Sequence, residues 1–220
     1  MLPAKLDDLR NRLILYANHV ESMIDMSVEA LLKQDRQALL AIVGDDEAKA
    51  NQEEIAIEEL CIEIIAKYEP KARDLRTVLM VMKINNDLER IADHAVNTAE
   101  SGLFLLDHRQ LKPLIDIPRM AEVANTMLKD SIIAFISQDS LLAERVCQRD
   151  SLVDALASQI LRELITFMLG DASTIERSLY LLKISKNLER IADLSTNICE
   201  DVIFMVSARD VRHLPPPAFQ

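Results

Sequence analysis

Glu89 and Asp93 stand four residues apart, and Glu189 and Asp193 repeat the pair one hundred positions later. On a helix that spacing stacks two carboxylates on one face, a single turn apart. Like charges so placed cost about 0.2–0.5 kcal/mol per pair unless something neutralises them. The chemistry open to such a pair is oxygen ligation of a hard cation or docking of a basic surface. The surrounding sequence is nearly duplicated. Lys83-Ile-Asn-Asn-Asp-Leu-Glu-Arg-Ile-Ala-Asp93 recurs as Lys183-Ile-Ser-Lys-Asn-Leu-Glu-Arg-Ile-Ala-Asp193, and Asn97 and Glu100 recur as Asn197 and Glu200. A polar motif kept twice in one register points to a use for its carboxylates, because a merely solvated face would drift after duplication.

A second pair with the same spacing, Asp150 and Asp154, precedes the later copy. Its first-half counterparts, at an offset of 104 less a one-residue slip, are Glu47 and Asn51. If the second and third helices of each half are neighbours, four such side chains converge on a shallow surface patch. Measured from the Leu88, Ile91 and Ala95 seam, Asp93 is rotated by about 160°, so the acids belong on the outside of a bundle. A patch made only of oxygen ligands prefers Mg²⁺, Ca²⁺, Mn²⁺ or Fe³⁺ to the softer ions held by thiolate and imidazole. Two other readings stay open. The stripe serves as a solvated face, with Arg90, Arg190 and Lys186 in weak ion pairs, or it docks a basic partner.

The elements that must position these residues are helices. Leu6, Leu9, Leu13, Tyr16, Val20, Met23, Ser27 and Ala30 advance in steps of three and four, an apolar seam along a first helix. Asp35 caps a second helix running to about Lys67, which Glu69-Pro70 ends, since a residue before proline avoids the α region. A third helix follows from about Lys71 to Leu106. The order then repeats: Met127, Ser131, Ala134 and Asp139 match Met23, Ser27, Ala30 and Asp35 at an offset of 104. The third-helix motif recurs at 100, so four residues are missing from the second half, at its middle turn near Gly170-Asp171. There Gly170 reads as a C-terminal cap and Asp171 as the next N-cap. The expected fold is all-α: two tandem bundles of three long antiparallel helices, packed side by side or end to end. The first covers residues 1–110 and the second 113–208, with a proline-rich, disordered tail over 209–220.

Composition agrees and excludes much else. Aromatic residues make up 4% of the chain and glycines number three, too few of either for a β-rich fold. A net charge of −11 disfavours nucleic acid and bare anionic membrane as direct partners. No apolar run approaches the roughly 20 residues that span a bilayer, and the N-terminus lacks the layout of a signal peptide. Cys61, Cys147 and Cys199 are scattered, as buried thiols of a reducing cytoplasm would be. There is no Gly-rich loop, hence no nucleotide fingerprint and no organic cofactor. The four histidines share no spacing; His94 is replaced by Leu194 in the second copy and reads as a surface residue. With no catalytic constellation in sight, the chain is expected not to be an enzyme.

With the duplicated Leu-Glu-Arg-Ile-Ala-Asp in view, nearly the whole chain resembles the PhoU family. The Glu69-Pro-Lys-Ala-Arg-Asp-Leu-Arg76 turn, Lys83-Ile84, the run from Asp87 to His94 and Asp150-x-x-Val-Asp154 all fit. The resemblance implies a cytoplasmic negative regulator of phosphate uptake and of the phosphate regulon. Such a protein is an adaptor between the ABC phosphate transporter, through its ATPase, and a membrane sensor histidine kinase. It reaches the membrane peripherally, through those partners; homodimerisation is expected separately, from the elongated helical shape. The resemblance also implies metal clusters, of iron or divalent ions such as Mg, Mn, Zn or Ni. One would use Glu89 and Asp93 with Glu47 and Asn51, the other Glu189 and Asp193 with Asp150 and Asp154. Asn51 departs from the acidic pattern. The competing expectation is a helical-bundle metal-binding or storage protein with no signalling role.

Overall fold

The computed structural model describes residues 2–207, which hold helices and no strand. In the first half, α1 (Leu2–Lys33) is followed by α2 (Arg36–Ala41), which passes through a π turn, Ile42–Asp46, into α3 (Glu47–Tyr68), and then by α4 (Arg73–Leu106). The second half holds α5 (Asp116–Ser137), α6 (Ser140–Gly170), a short 3₁₀ turn, Ala172–Thr174, and α7 (Ile175–Ser207). The proline-rich tail expected over 209–220 lies outside the described residues.

The duplication extends to the backbone of the turns. Gln34 and Gln138 take the left-handed conformation, at φ 56° and 55°. Behind them the N–H groups of Asp35 and Asp139 reach back to the carbonyls of Ala30 and Ala134, at 2.8 and 3.0 Å. These bonds satisfy carbonyls that a helix end leaves free. The Asp35 carboxylate then accepts from Ala38 N, and that of Asp139 from Leu142 N, capping the next helix in each half.

The middle turns differ from expectation. Glu69 does end α3 ahead of Pro70, but in the left-handed region, at φ 44°, rather than extended. Gly170 has no positive φ and is the last helical residue; the extended Asp171 breaks the helix. Its carboxylate accepts from Ser173 N and so caps the 3₁₀ turn rather than α7 itself.

One of the four residues missing from the second half has a physical place elsewhere. Up to the first residue of the π turn the buried Leu39 and Ile42 match Ala143 and Val146 at an offset of 104. After it Ala50, Ile57 and Cys61 match Val153, Ile160 and Leu164 at 103. A π turn accommodates one extra residue without ending the helix. The one-residue slip that pairs Glu47 with Asp150 and Asn51 with Asp154 is this turn.

The seams are the core. All eight α1 seam residues are buried, as are Ile84, Leu88, Ile91, Ala95, Thr98 and Gly102 of α4. Gly102 is there for close approach: a Cβ would come within 3.1 Å of Leu39 Cδ1. The buried Ser27 and Ser131 hydroxyls donate to the carbonyls of Ile24 and Leu128 in their own helices, so neither leaves a polar group unpaired.

The two sets of helices pack side by side, α1 against α5 and α4 antiparallel to α7. Lys83 Nζ holds both Asp201 oxygens, at 2.8 and 3.0 Å, and Phe104 stacks on Tyr180 with ring centroids 3.6 Å apart. Asn125 Nδ2 donates to Glu21 O, a contact between equivalent positions of the two halves, as an approximate two-fold relation requires. His94, expected at the surface, lies half-buried in this interface with Nδ1 3.2 Å from Asn187 Oδ1. The antiparallel crossing of α4 over α7 puts it there, which no pattern within one helix encodes.

Candidate functional site

The second-half patch forms where α6 packs along α7. Val153, Leu156 and Ile160 bury one side of α6, and Leu188, Ile191 and Ala192 one side of α7. These anchors turn Asp150 and Asp154 toward Glu189 and Asp193 at the outer edge of the contact. Asp150 and Asp193 are half-buried there and Asp154 is exposed. Burial, followed by the charges of Asp154, Asp193, Glu189 and Glu200, pushes the Asp150 carboxyl up to about 6. Asp154 is also raised, by burial and then by Glu189 and Asp193, with Lys186 opposing. Asp150 and Asp154 thus lie in the field of Glu189 and Asp193.

Two cations share that surface. Lys186 Nζ donates to Glu189 Oε1 at 2.6 Å, and Arg190 Nη1 to Asp193 Oδ2 at 3.1 Å. In the first half Arg90 turns instead to Asp87, at 3.6 Å. Among the described residues no three His, Cys, Asp or Glu side chains stand close enough together to hold one ion. The donor chemistry nonetheless fits a hard cation, being all oxygen, with Asp150 and Asp154 paired to no base among the described residues. Closing around an ion would require Glu189 to leave Lys186 and Asp193 to leave Arg190.

The first-half patch has a different membership. Glu89 is half-buried and Asp93 exposed on α4, with the half-buried Glu47 and exposed Asn51 on α3. The Glu89 carboxyl is raised by burial, then by Asp93 and by Glu54, with Arg90 opposing. Glu54, one turn beyond Asn51, is the α3 carboxylate felt by Glu89, and the sequence reading passed over it. At the equivalent place α6 has Ala157. A carboxylate has in effect moved one turn along the helix, from the position of Asp154 to that of Ala157. The i, i+3 step from Asn51 to Glu54 was the available signal.

Tyr16 is the other residue missed. It sits on the α1 seam, 1% exposed, and its hydroxyl has no hydrogen-bond partner. Burial first, then the charges of Glu89, Glu54, Asp93 and Glu53, drive its ionisation well above the ordinary range. Tyr16 thus places an unpartnered buried donor in the field of four carboxylates. The one tyrosine on an otherwise aliphatic and small-residue seam was the sequence clue.

Asn97, which recurs with the motif, turns its amide back to donate to the Asp93 carbonyl of its own helix at 2.8 Å. The cysteines are not all isolated. Cys61 is buried apart from the others, whereas Cys147 lies beside Cys199, and its thiol, with burial, holds the Cys199 thiol well above its usual range.

Both halves of this architecture match known proteins. The profile of the PhoU domain matches residues 13–102 and again 117–202. The chain is 38% identical over 209 residues to the phosphate-specific transport system accessory protein PhoU homolog of Aquifex aeolicus, covering 95% of this chain and 94% of that one. To the phosphate-specific transport system accessory protein PhoU of Escherichia coli it is 32% identical over 211 residues, with 96% and 87% covered. The crystal structure of PhoU from Pseudomonas aeruginosa superposes with a TM-score of 0.90 at 32% identity, over 95% of this chain and all of that one. That of the phosphate transport system regulatory protein PhoU from Streptococcus pneumoniae gives 0.86 at 25% identity, over 96% and 99%. With two copies of the domain filling its length and the same arrangement of helices, this chain belongs to the PhoU family.

Proposed function

We propose that this chain is an accessory protein of phosphate transport that represses phosphate uptake and the phosphate regulon when phosphate is plentiful. It acts by docking rather than by catalysis, linking the ATPase of an ABC phosphate transporter to a sensor histidine kinase. The observation that carries this reading is the match of two PhoU domains along the chain to accessory and regulatory proteins over nearly their whole length. No helix among the described residues is long and apolar enough to cross a membrane, which accords with attachment through membrane partners. Deleting the gene should make phosphate-starvation genes constitutive in phosphate-rich medium. Normal repression after deletion would overturn the reading. The purified chain should also retain the transporter ATPase and the kinase in a pull-down.

The carboxylate patches serve this role as cation sites. Glu189 and Asp193 with Asp150 and Asp154 would hold a hard cation at the second patch. Glu89, Asp93 and Glu54, with Glu47, Asn51 and the Tyr16 hydroxyl nearby, would hold one at the first. A bound cation supplies positive charge that neutralises the cluster. The chain's own residues present oxygens from two helices, so occupancy pins α6 to α7 and α3 to α4. Glu189→Ala/Asp193→Ala should lower bound metal, read by elemental analysis after dialysis against excess Mn²⁺. Unchanged metal content would leave the patch a solvated face.

A further inference from the structure

The outer face of the α6–α7 hairpin carries an apolar strip that the core does not use. Leu161, Ile165 and Leu169 follow at four-residue steps on α6 and are 44%, 43% and 84% exposed. That spacing sets them on one helix face. α7 runs back alongside and adds Leu179, 54% exposed. Between the helices lies a groove of about 610 Å³, walled by Leu161, Leu182 and Ala157 and reaching Asp154, Lys186 and Glu189. The groove therefore joins Leu161, the inner end of the apolar strip, to Asp154 and Glu189 of the acidic patch. Measured along α6, strip and patch together run from Leu169 to Asp150, about 28 Å or some five helical turns.

The first half serves as a control within the same molecule. At the equivalent places α3 has Glu58 for Leu161, Ile62 for Ile165 and Ala66 for Leu169. Leu79 of α4 matches Leu179 and is 48% exposed, so the difference lies in the α6 line. Single exposed leucines are ordinary. Three in a line, in one half and not the other, running into a carboxylate cluster, make the kind of patch that marks a protein contact.

We propose that this groove docks an amphipathic helix of a partner protein, apolar along one face and rich in lysine or arginine at one end. The apolar face covers the α6 leucines, as helix-in-groove recognition does. The basic end lies over Asp150 and Asp154, whose like charges repel one another, beside the Lys186–Glu189 pair. Charge complementarity selects this occupant over a second copy of the chain. Two copies carry −11 each. A two-fold pairing along the whole groove would press each acidic end onto the other's leucines, taking carboxylates out of water with no partner. The inference rests on the reading of this protein as one that works by docking, and it gives that docking a surface.

The test uses the full chain and a labelled synthetic twenty-residue helix, with leucines at i, i+4, i+7 and i+11 and four lysines at one end. It is made in two forms, lysines at the N- or the C-terminus, and read by fluorescence anisotropy. One form should bind, and added salt should weaken it. Leu161→Glu, which copies Glu58, should weaken binding by about tenfold or more, or about 1.4 kcal/mol, with unchanged helical content. Glu58→Gln should change it less than about twofold. A form with glutamates in place of lysines should not bind. Equal binding to the Leu161→Glu protein, or of the glutamate form, would overturn the proposal, as would failure of both lysine forms. If those fail while the pull-down still retains the ATPase or kinase, the groove is wrong and the docking reading stands; if both fail, both fall. Self-association abolished by Leu161→Glu would instead make a second copy the occupant.

Discussion

Lys186 Nζ lies 2.6 Å from Glu189 Oε1, while the equivalent of Lys186 beside Glu89 is Asn86. The second patch therefore carries its own internal counter-ion and the first does not. A metal entering the second patch must displace that ammonium. Lys186→Asn should raise Mn²⁺ affinity there by about two- to fivefold, the worth of a partly exposed ion pair. Titration calorimetry on the variant is the check, and weaker binding would contradict the displacement.

Asp150 should give stability a pH dependence of opposite sign to that of an ordinary salt-bridged acid. Its folded pKa, pushed up to about 6, lies above the unfolded value. Between about pH 4 and 6 the folded state holds more protons, so stability falls as pH rises through that window. Above it the full cost of the ionised carboxylate is present. Asp87 adds to the same window with the same sign, also pushed up to about 6, by burial first, with Asp201 adding and Arg90 and Lys83 opposing. Asp150→Asn should remove its share and stabilise the metal-free protein at neutral pH by on the order of 1 kcal/mol, after discounting for its exposure. Urea denaturation across the window would show it, and a variant with the parent's slope would refute it.

Tyr16→Phe should stabilise the metal-free protein by about 1 kcal/mol, because it removes a buried hydroxyl that lacks a partner and keeps the ring. A loss of stability in the same denaturation experiment would mean that the hydroxyl is paired in solution.

Lys83 and Asp201 tie α4 to α7, with the Asp201 side chain 13% exposed and Lys83 54%. Removing the base alone leaves a nearly buried carboxylate near Asp87. Lys83→Ala should cost about 1–3 kcal/mol, and adding Asp201→Asn should recover part of it. An additive double variant would show that the two do not interact.

Much of the fold was legible because helices bury a periodic stripe. The α1 seam, the Asp35 and Asp139 caps and the three-helix order of each half follow from spacing alone. Half of the site was legible for the same reason: Asp150, Asp154, Glu189 and Asp193 repeat at i, i+4 and come to one face. The first patch was less so. Glu54 acts on Glu89 across two helices, and Tyr16 reaches in from a third, neither of which leaves a period in any one helix. His94 was misplaced because the burial of a residue on an outer helical face depends on what the other half covers.

The helices, their caps and the pairing of carboxylates one turn apart could be read along the chain, since each is set by contacts within a few residues, and the duplication by comparing its halves. Tertiary structure decided the rest: the side-by-side packing of the halves, the π turn that brings Glu47 and Asn51 into register, and the shift from Asp154 to Glu54 between the patches. It also left the α6 leucines uncovered beside one of them. These depend on distances between segments far apart in sequence, where side-chain volume and charge are balanced across helices and not along them.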